Sequence, residues 1–325
     1  MVLRSALLAG LAALSFTLSS HAAPPERPEC IAPAKPGGGF DLTCKLAQQG
    51  MKELEMLPSP MRVTYMPGGI GAVAYNTIIA QRPDDGDTIV AFSGGSLLNL
   101  AQSKFGRYSE EDVRWLAGIG TDYGMIAVRE DSDYQNLDDL INALKDDPTS
   151  VVFGAGGTVG SQDWMKSALV AREAGVDYKG MRYVPFEGGG EAQTALLGGH
   201  IQAYSGDISE VQGMLEGGKL RVLAVMSEER LPAPYDQVPT ATEQGYEVTW
   251  PIIRGFYVGP DVSDEDYNWW VENFDKMMAD PKFEELRQQQ GLFPYSTTGE
   301  ELDSYVKERV GYYRDLANDF GLVQQ

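Results

Sequence analysis

Residues 30–46 read Cys30-Ile31-Ala32-Pro33-Ala34-Lys35-Pro36-Gly37-Gly38-Gly39-Phe40-Asp41-Leu42-Thr43-Cys44-Lys45-Leu46. A short β run meets a proline and three glycines, and an amphipathic segment follows. The pattern predicts a strand, a tight turn and a helix over about residues 41–55, with Leu42, Leu46 and Leu54 on one face and Met51 beside them. Glycine has no Cβ, so backbone N–H groups in such a turn can converge on a bound oxygen. A helix that starts there adds unpaired N–H donors and a partial positive charge.

The same unit recurs along the chain. Arg62-Val63-Thr64-Tyr65 leads into Pro67-Gly68-Gly69-Ile70-Gly71, and residues 88–92 lead into Ser93-Gly94-Gly95-Ser96. Val151-Val152-Phe153 enters Gly154-Ala155-Gly156-Gly157-Thr158-Val159-Gly160-Ser161, and Tyr183-Val184-Pro185 enters Glu187-Gly188-Gly189-Gly190. Strands alternating with helices predict an α/β fold with parallel sheets covered on both faces. In such sheets ligands bind outside the carboxyl ends of the strands, where these turns lie. Two Rossmann-like domains are therefore expected, with glycine turns facing each other across a cleft. Residues 23–124 with 251–325 form the first and residues 125–250 the second. Residues 125–128 would carry the chain across and residues 252–258 would bring it back. Residues 220–226 read as a strand buried on both faces. Trp269, Trp270, Phe274 and Met277 form an apolar helical stripe that reads as core packing.

Residues 1–22 read as an export signal: Arg4 is the positive start, residues 6–18 are apolar, and Ser20-His21-Ala22 offers small residues for cleavage after Ala22. The apolar run is too short for about 30 Å of hydrocarbon. Cys30 follows Arg27-Pro28-Glu29, which is unlike a lipid-anchor site. A soluble, periplasmic chain is expected. Its net charge of −21 becomes −22 when Arg4 leaves with the signal, which disfavours nucleic acid and anionic lipid. A small anion is still admissible, because backbone N–H groups inside a cleft act locally while distant surface charge is screened.

Once His21 is removed with the signal, His200 is the only histidine. With two cysteines it cannot build the usual zinc ligand sets. His200 sits in the turn Leu197-Gly198-Gly199-His200-Ile201 and reads as a surface residue. Gly154-Ala155-Gly156 starts like a dinucleotide fingerprint, but Val159 stands where the third glycine belongs. Neither a phosphate-loop Gly-Lys-Ser/Thr nor a Gly-x-Ser-x-Gly nucleophile turn occurs. No cofactor is expected. Cys30 and Cys44 would form either a disulfide, worth roughly 3 kcal/mol for a loop of this size, or two buried thiols; the disulfide is favoured.

The two anion cradles are Pro36-Gly37-Gly38-Gly39-Phe40-Asp41 and Gly157-Thr158-Val159-Gly160-Ser161, one in each half; Ser93 opens a further turn. Asp41 could accept from a ligand hydroxyl or cap its helix, and Ser161 could do both. Arg254 lies inside the apolar run 252–258, where a guanidinium needs a carboxylate, either the ligand's or the protein's. Lys35 could add charge at the mouth of the cleft.

At these residues the sequence resembles the receptors of tripartite tricarboxylate transporters, the Bug-type solute-binding proteins. The ordered set includes the first two glycine loops, Gly160-Ser161, Phe186-Glu187-Gly188-Gly189-Gly190-Glu191-Ala192, Leu197-Gly198-Gly199-His200, Gly217-Gly218-Lys219-Leu220-Arg221-Val222-Leu223-Ala224-Val225 and Val238-Pro239-Thr240-Ala241-Thr242-Glu243-Gln244-Gly245. The resemblance implies a type II periplasmic binding protein fold that closes on one ligand without catalysis and delivers it to an inner-membrane permease. It also implies that the two cradles grip a carboxylate, partly through water. Two positions depart from the family: Glu187 stands where lysine is common, and Phe40 where threonine or a similar small residue is common. The loop around Phe40 is closest to the tricarboxylate branch, so citrate is the leading ligand and a monomer the expected state. Alternatives are a receptor for a dicarboxylate, amino acid or aromatic acid, or a periplasmic enzyme acting on a carboxylic acid.

Overall fold

The computed structural model describes residues 23–322; the expected signal, residues 1–22, lies outside the described residues. β1 (Glu29–Ala32), β2 (Arg62–Tyr65) and β3 (Thr88–Ser93) run parallel. Each passes through its turn into α1 (Gly39–Glu53), α2 (Ala72–Gln81) or α3 (Gly94–Ala101). After β4 (Arg114–Arg129) and α4 (Leu137–Asp146) the unit repeats in β5 (Val152–Gly156), α5 (Gln162–Glu173), β6 (Arg182–Phe186), α6 (Gly189–Leu197) and β7 (Ala203–Asp207), with β5 parallel to β6 and β7. The chain continues through α7 (Gln212–Glu216), β8 (Leu220–Val225) and β9 (Pro251–Val258). It ends in α8 (Asp264–Met278), α9 (Pro281–Gln289), β10 (Thr297–Thr298) and α10 (Gly299–Asp319).

The long strand β4 belongs to two sheets. Up to Tyr123 it pairs antiparallel with β9, and from Gly124 it pairs antiparallel with β7 and β8. One side of the molecule thus has the order β2-β1-β3-β9-β4-β10 and the other β8-β4-β7-β5-β6. The expected parallel pairing holds for β1, β2 and β3 and for β5, β6 and β7, and is corrected for the remaining strands. The strands that leave and re-enter a sheet run against their neighbours, so β4, β8, β9 and β10 are antiparallel. Where the chain switches sides, Gly124, Met226 and Trp250 are joined by their backbones in a closed ring of hydrogen bonds. Met226 N–H donates to Gly124 O at 2.7 Å, Trp250 N–H to Met226 O at 2.7 Å, and Gly124 N–H to Trp250 O at 3.0 Å.

Local rules account for the helix ends. Gly38 in extended conformation precedes α1, so the helix starts two residues before the sequence expectation. Ser161 caps α5 by accepting from Trp164 N–H at 3.3 Å. At the other end Gly175, at φ +74°, takes the left-handed position that closes the helix; its N–H bonds to Arg172 O and that of Val176 to Ala171 O. Cys30 and Cys44 are joined in a disulfide with Cα atoms 5.7 Å apart, tying α1 to β1. Trp270, Phe274 and Met277 from α8 are buried beside them in one core. β8 is buried although it pairs only with β4, because residues 239–241 hydrogen-bond along its open edge at Val225.

Candidate ligand site

Four helices begin at one small chamber between the two sheets. Gly38 and Gly39 at the start of α1 and Ser93 and Gly95 at the start of α3 come from one half. Ser161 and Gln162 at the start of α5 and Gly188 and Gly189 at the start of α6 come from the other. Each terminus carries about half a positive charge in orphan N–H groups, so their convergence makes a site for negative charge. The free space at its centre is about 40 Å3, enough for water or one small group.

An open pocket of about 330 Å3 adjoins it, sharing Ile70, Asn99 and Ser161 and adding Lys104, Gly157 and Thr158.

The chamber floor is a buried chain of charges. Arg254, on β9 and 2% exposed, donates through Nη2 to Asp122 Oδ2 at 2.7 Å and to Asp207 Oδ2 at 2.6 Å. Lys166, on α5 and fully buried, pairs with Asp207 and, at 2.8 Å, with Asp163. Asp122 also accepts from Ser209 Oγ–H. Burial would raise the Asp207 carboxyl, but Lys166 and Arg254 outweigh it and hold the group below its ordinary range. Burial would likewise lower Arg254 and Lys166, and the facing carboxylates hold both above their ordinary values. For Asp122 and Asp163 burial wins and their carboxyls are raised.

Beside this chain stands Glu210. Its Oε1 accepts from Gly39 N–H at 2.5 Å, and its Oε2 bonds to Tyr204 Oη. A Cβ on Gly189 would lie 2.4 Å from Oε2, so the carboxyl is wedged between the starts of α1 and α6. Burial is the largest influence on it, with Asp207 adding to the same effect, and the group is pushed up to about 8. Among the described residues no cluster of three or more His, Cys, Asp or Glu is arranged to hold a metal ion.

The structure separates the sequence-predicted residues. Gly38, Gly39, Phe40, Ser93, Ser161 and Arg254 line the chamber. Pro36 and Gly37 instead lie against Gly190 of the opposite half. Gly157 and Thr158 line the outer pocket. Gly160 packs on Gln102 and Lys104, and Val159 is 54% exposed and faces solvent.

Asp41 does not cap α1 and does not line the chamber. Its carboxylate accepts from Gly37 N–H and Lys45 Nζ, both at 2.8 Å, and from Tyr65 Oη–H at 2.8 Å. Arg254 finds its partners in protein acids. Lys35 lines neither the chamber nor the outer pocket; it is exposed and paired with Glu191 at 2.6 Å, and His200 is exposed in its turn.

Sequence reading missed Asp122, Asp163, Lys166, Asp207 and Glu210. Lys166, set beside Trp164, Met165 and Ala168, is a charge on the buried face of α5, and that signal was legible. Asp207 is the last residue of the buried strand β7 and Glu210 lies three residues beyond it, positions where a carboxylate needs a reason.

The family model described as tripartite tricarboxylate transporter family receptor matches residues 44–322, beginning just after the first glycine loop. A UPF0065 protein of Bordetella pertussis is 23% identical over 321 residues, 98% of this chain and 97% of that protein. The solved structure of the periplasmic binding protein BugD superposes with a TM-score of 0.82 at 22% identity, covering 93% of this chain and all of that one. MatC of Rhodopseudomonas palustris, solved with bound malate, gives 0.77 at 19% identity over 89% of this chain and 98% of its own. The fold is that of an α/β periplasmic binding protein. By the extent of the family match, this chain belongs to the tripartite tricarboxylate transporter receptors, a family of solute-binding proteins rather than enzymes.

Proposed function

We propose that this chain is exported with removal of residues 1–22 and works as a monomeric receptor. It captures a tricarboxylate, citrate before others, between two domains, residues 23–124 with 251–325 and residues 125–250. The hydrogen-bonded set Gly124, Met226 and Trp250 is then the hinge, and an inner-membrane permease receives the ligand.

The observation that carries this reading is the convergence of four helix N-termini from both halves on one chamber. A carboxylate placed there draws on donors from each half, so it favours the closed arrangement by differential affinity. The chamber is too small for a whole tricarboxylate. One carboxylate fits at its centre, and the remainder extends into the outer pocket toward Lys104. Asn99 Oδ1 and Gln162 Oε1 are buried at the chamber wall without a donor, and the hydroxyl of citrate would supply one. A dicarboxylate with a hydroxyl is the second reading, favoured by the malate held in MatC.

The test is a thermal shift of protein unfolded, dialysed and refolded to strip retained ligand, against citrate, tricarballylate, succinate, malate, glutamate and nicotinate. A ligand at a thousand times its dissociation constant stabilises by about 4 kcal/mol, a shift of several degrees. Citrate or tricarballylate giving the largest shift supports the tricarboxylate reading. A shift with another acid alone replaces the ligand, and no shift with any acid removes the carboxylate reading.

A further inference from the structure

Glu210 stands where an incoming carboxylate would be expected to sit. It comes from the segment after β7, in one half, and accepts the Gly39 N–H at the start of α1, in the other. Its second oxygen faces Gly189 at the start of α6 and is held by Tyr204. The protein therefore places its own carboxyl among the helix N-termini that line the ligand chamber.

The charged groups around Glu210 determine whether a second anion can enter beside it. Asp207 on β7 and Asp163 on α5 raise the cost of a negative charge there, while Arg254 on β9 and the hydrogen bond to Tyr204 lower it; Asp122 on β4 and Lys166 on α5 are engaged with those same groups in the buried chain of charges. Asp41 on α1 is neutralised by Lys45 and turned toward Tyr65. Glu191 on α6 is paired outward with Lys35. Two carboxylates within a few ångströms cannot both stay ionised without a counter-charge between them. The two local cations are already shared among three acids.

We propose that Glu210 admits the ligand carboxylate together with one proton drawn from solvent, and so couples acid capture to proton uptake. Protonated on Oε1, Glu210 gains a donor: its O–H can bond to a ligand oxygen, and its weakened hold on the Gly39 N–H lets that group share its bond with the ligand. This inference rests on the acid-capture reading above. The sign follows from the position of the group. Below about pH 8 Glu210 already holds its proton and capture needs none; above it the carboxylate is charged and each bound acid must bring a proton. Affinity is therefore flat toward acid pH and falls about tenfold per unit above pH 8. Lys104 in the outer pocket, lowered by burial to about 8, is the other group that titrates in this range.

The experiment is titration calorimetry with citrate, or whichever acid of the panel shifts the melting midpoint, at pH 7 and pH 9 in pairs of buffers of different ionisation enthalpy. Wild type is expected to take up close to one proton per ligand at pH 9 and far less at pH 7. Glu210→Gln should bind with affinity that varies less than about threefold between pH 7 and 9 and without Glu210's proton. Lys104→Met should keep the uptake. Wild type that binds at pH 9 without proton uptake overturns the proposal, and needs no variant to do so. Uptake that survives in Glu210→Gln and vanishes in Lys104→Met assigns it to the lysine and also overturns it. Binding confined to an amine-bearing acid such as glutamate, and abolished in Glu210→Gln, would make Glu210 a counter-ion instead. If no acid binds at any pH, the acid-capture reading fails first.

Discussion

Arg254 and Asp207, 2.6 Å apart, stand on different sheets, and their ion pair crosses the line along which the chain changes sides. Asp207 is also paired with Lys166, and Arg254 with Asp122, so one buried chain of charges joins the two halves beneath the ligand chamber. Removing one member of such a chain leaves the others uncompensated in a medium that solvates them poorly.

Arg254→Met is therefore expected to destabilise by about 3–5 kcal/mol, because Asp122 and part of Asp207 lose their counter-charge. Urea unfolding followed by tryptophan fluorescence measures this. A loss below about 1 kcal/mol would mean that the acids take up protons at little cost and that the guanidinium is not what holds them.

Gly39→Ala should be disruptive in a way a surface glycine is not. An added Cβ would lie 2.0 Å from Arg254 Nη1, so either the guanidinium or the start of α1 must move. A clear fall in melting midpoint is expected, with loss of the ligand-induced shift. Gly213→Ala is the control: it sits in α7 with nothing within 4 Å of the new atom, and should stabilise by about 0.5–1 kcal/mol.

Stability should decline from pH 5 to pH 8. Glu210 is raised from near 4.5 to about 8, so in this window the folded chain holds a proton that the unfolded chain has released. Raising the pH then favours unfolding by up to about 1.4 kcal/mol per unit for that proton, and the effect levels off above pH 8. Asp122 and Asp163, also raised, act with the same sign. Urea midpoints at pH 5, 6.5 and 8 should fall in wild type and less so in Glu210→Gln; parallel slopes would assign the effect elsewhere.

Replacing both Cys30 and Cys44 by serine should cost about 3 kcal/mol, the expected effect of releasing a loop of this length. Unfolding of wild type with and without reductant should show the same difference. Equal midpoints would mean that the core around Trp270 and Phe274 holds α1 unaided.

The sequence by itself determined the strand–turn–helix units, because each requires only local chemistry: a β-prone run, glycines free of Cβ, and an amphipathic helix. Gly38, Gly39, Phe40, Ser93 and Ser161, which line the chamber, could be singled out for that reason, since a helix start carries its donors wherever it is placed. What only the tertiary structure decided is which charges meet. Asp122, Asp163 and the neighbouring Asp207 and Glu210 come from three separate stretches of the chain, and Asp122 and Asp163 could each have been a solvated surface acid. Their burial follows from β4 running through both sheets and bringing β7, β9 and α5 to one point. Arg254 illustrates the limit: its need for a carboxylate was legible from the apolar run around it. Whether that carboxylate belonged to ligand or protein depended on Asp122 and Asp207 arriving from elsewhere in the fold. Helix-start donors are a local property of the backbone, whereas ion pairing falls off steeply with distance and is settled only when the chain has closed.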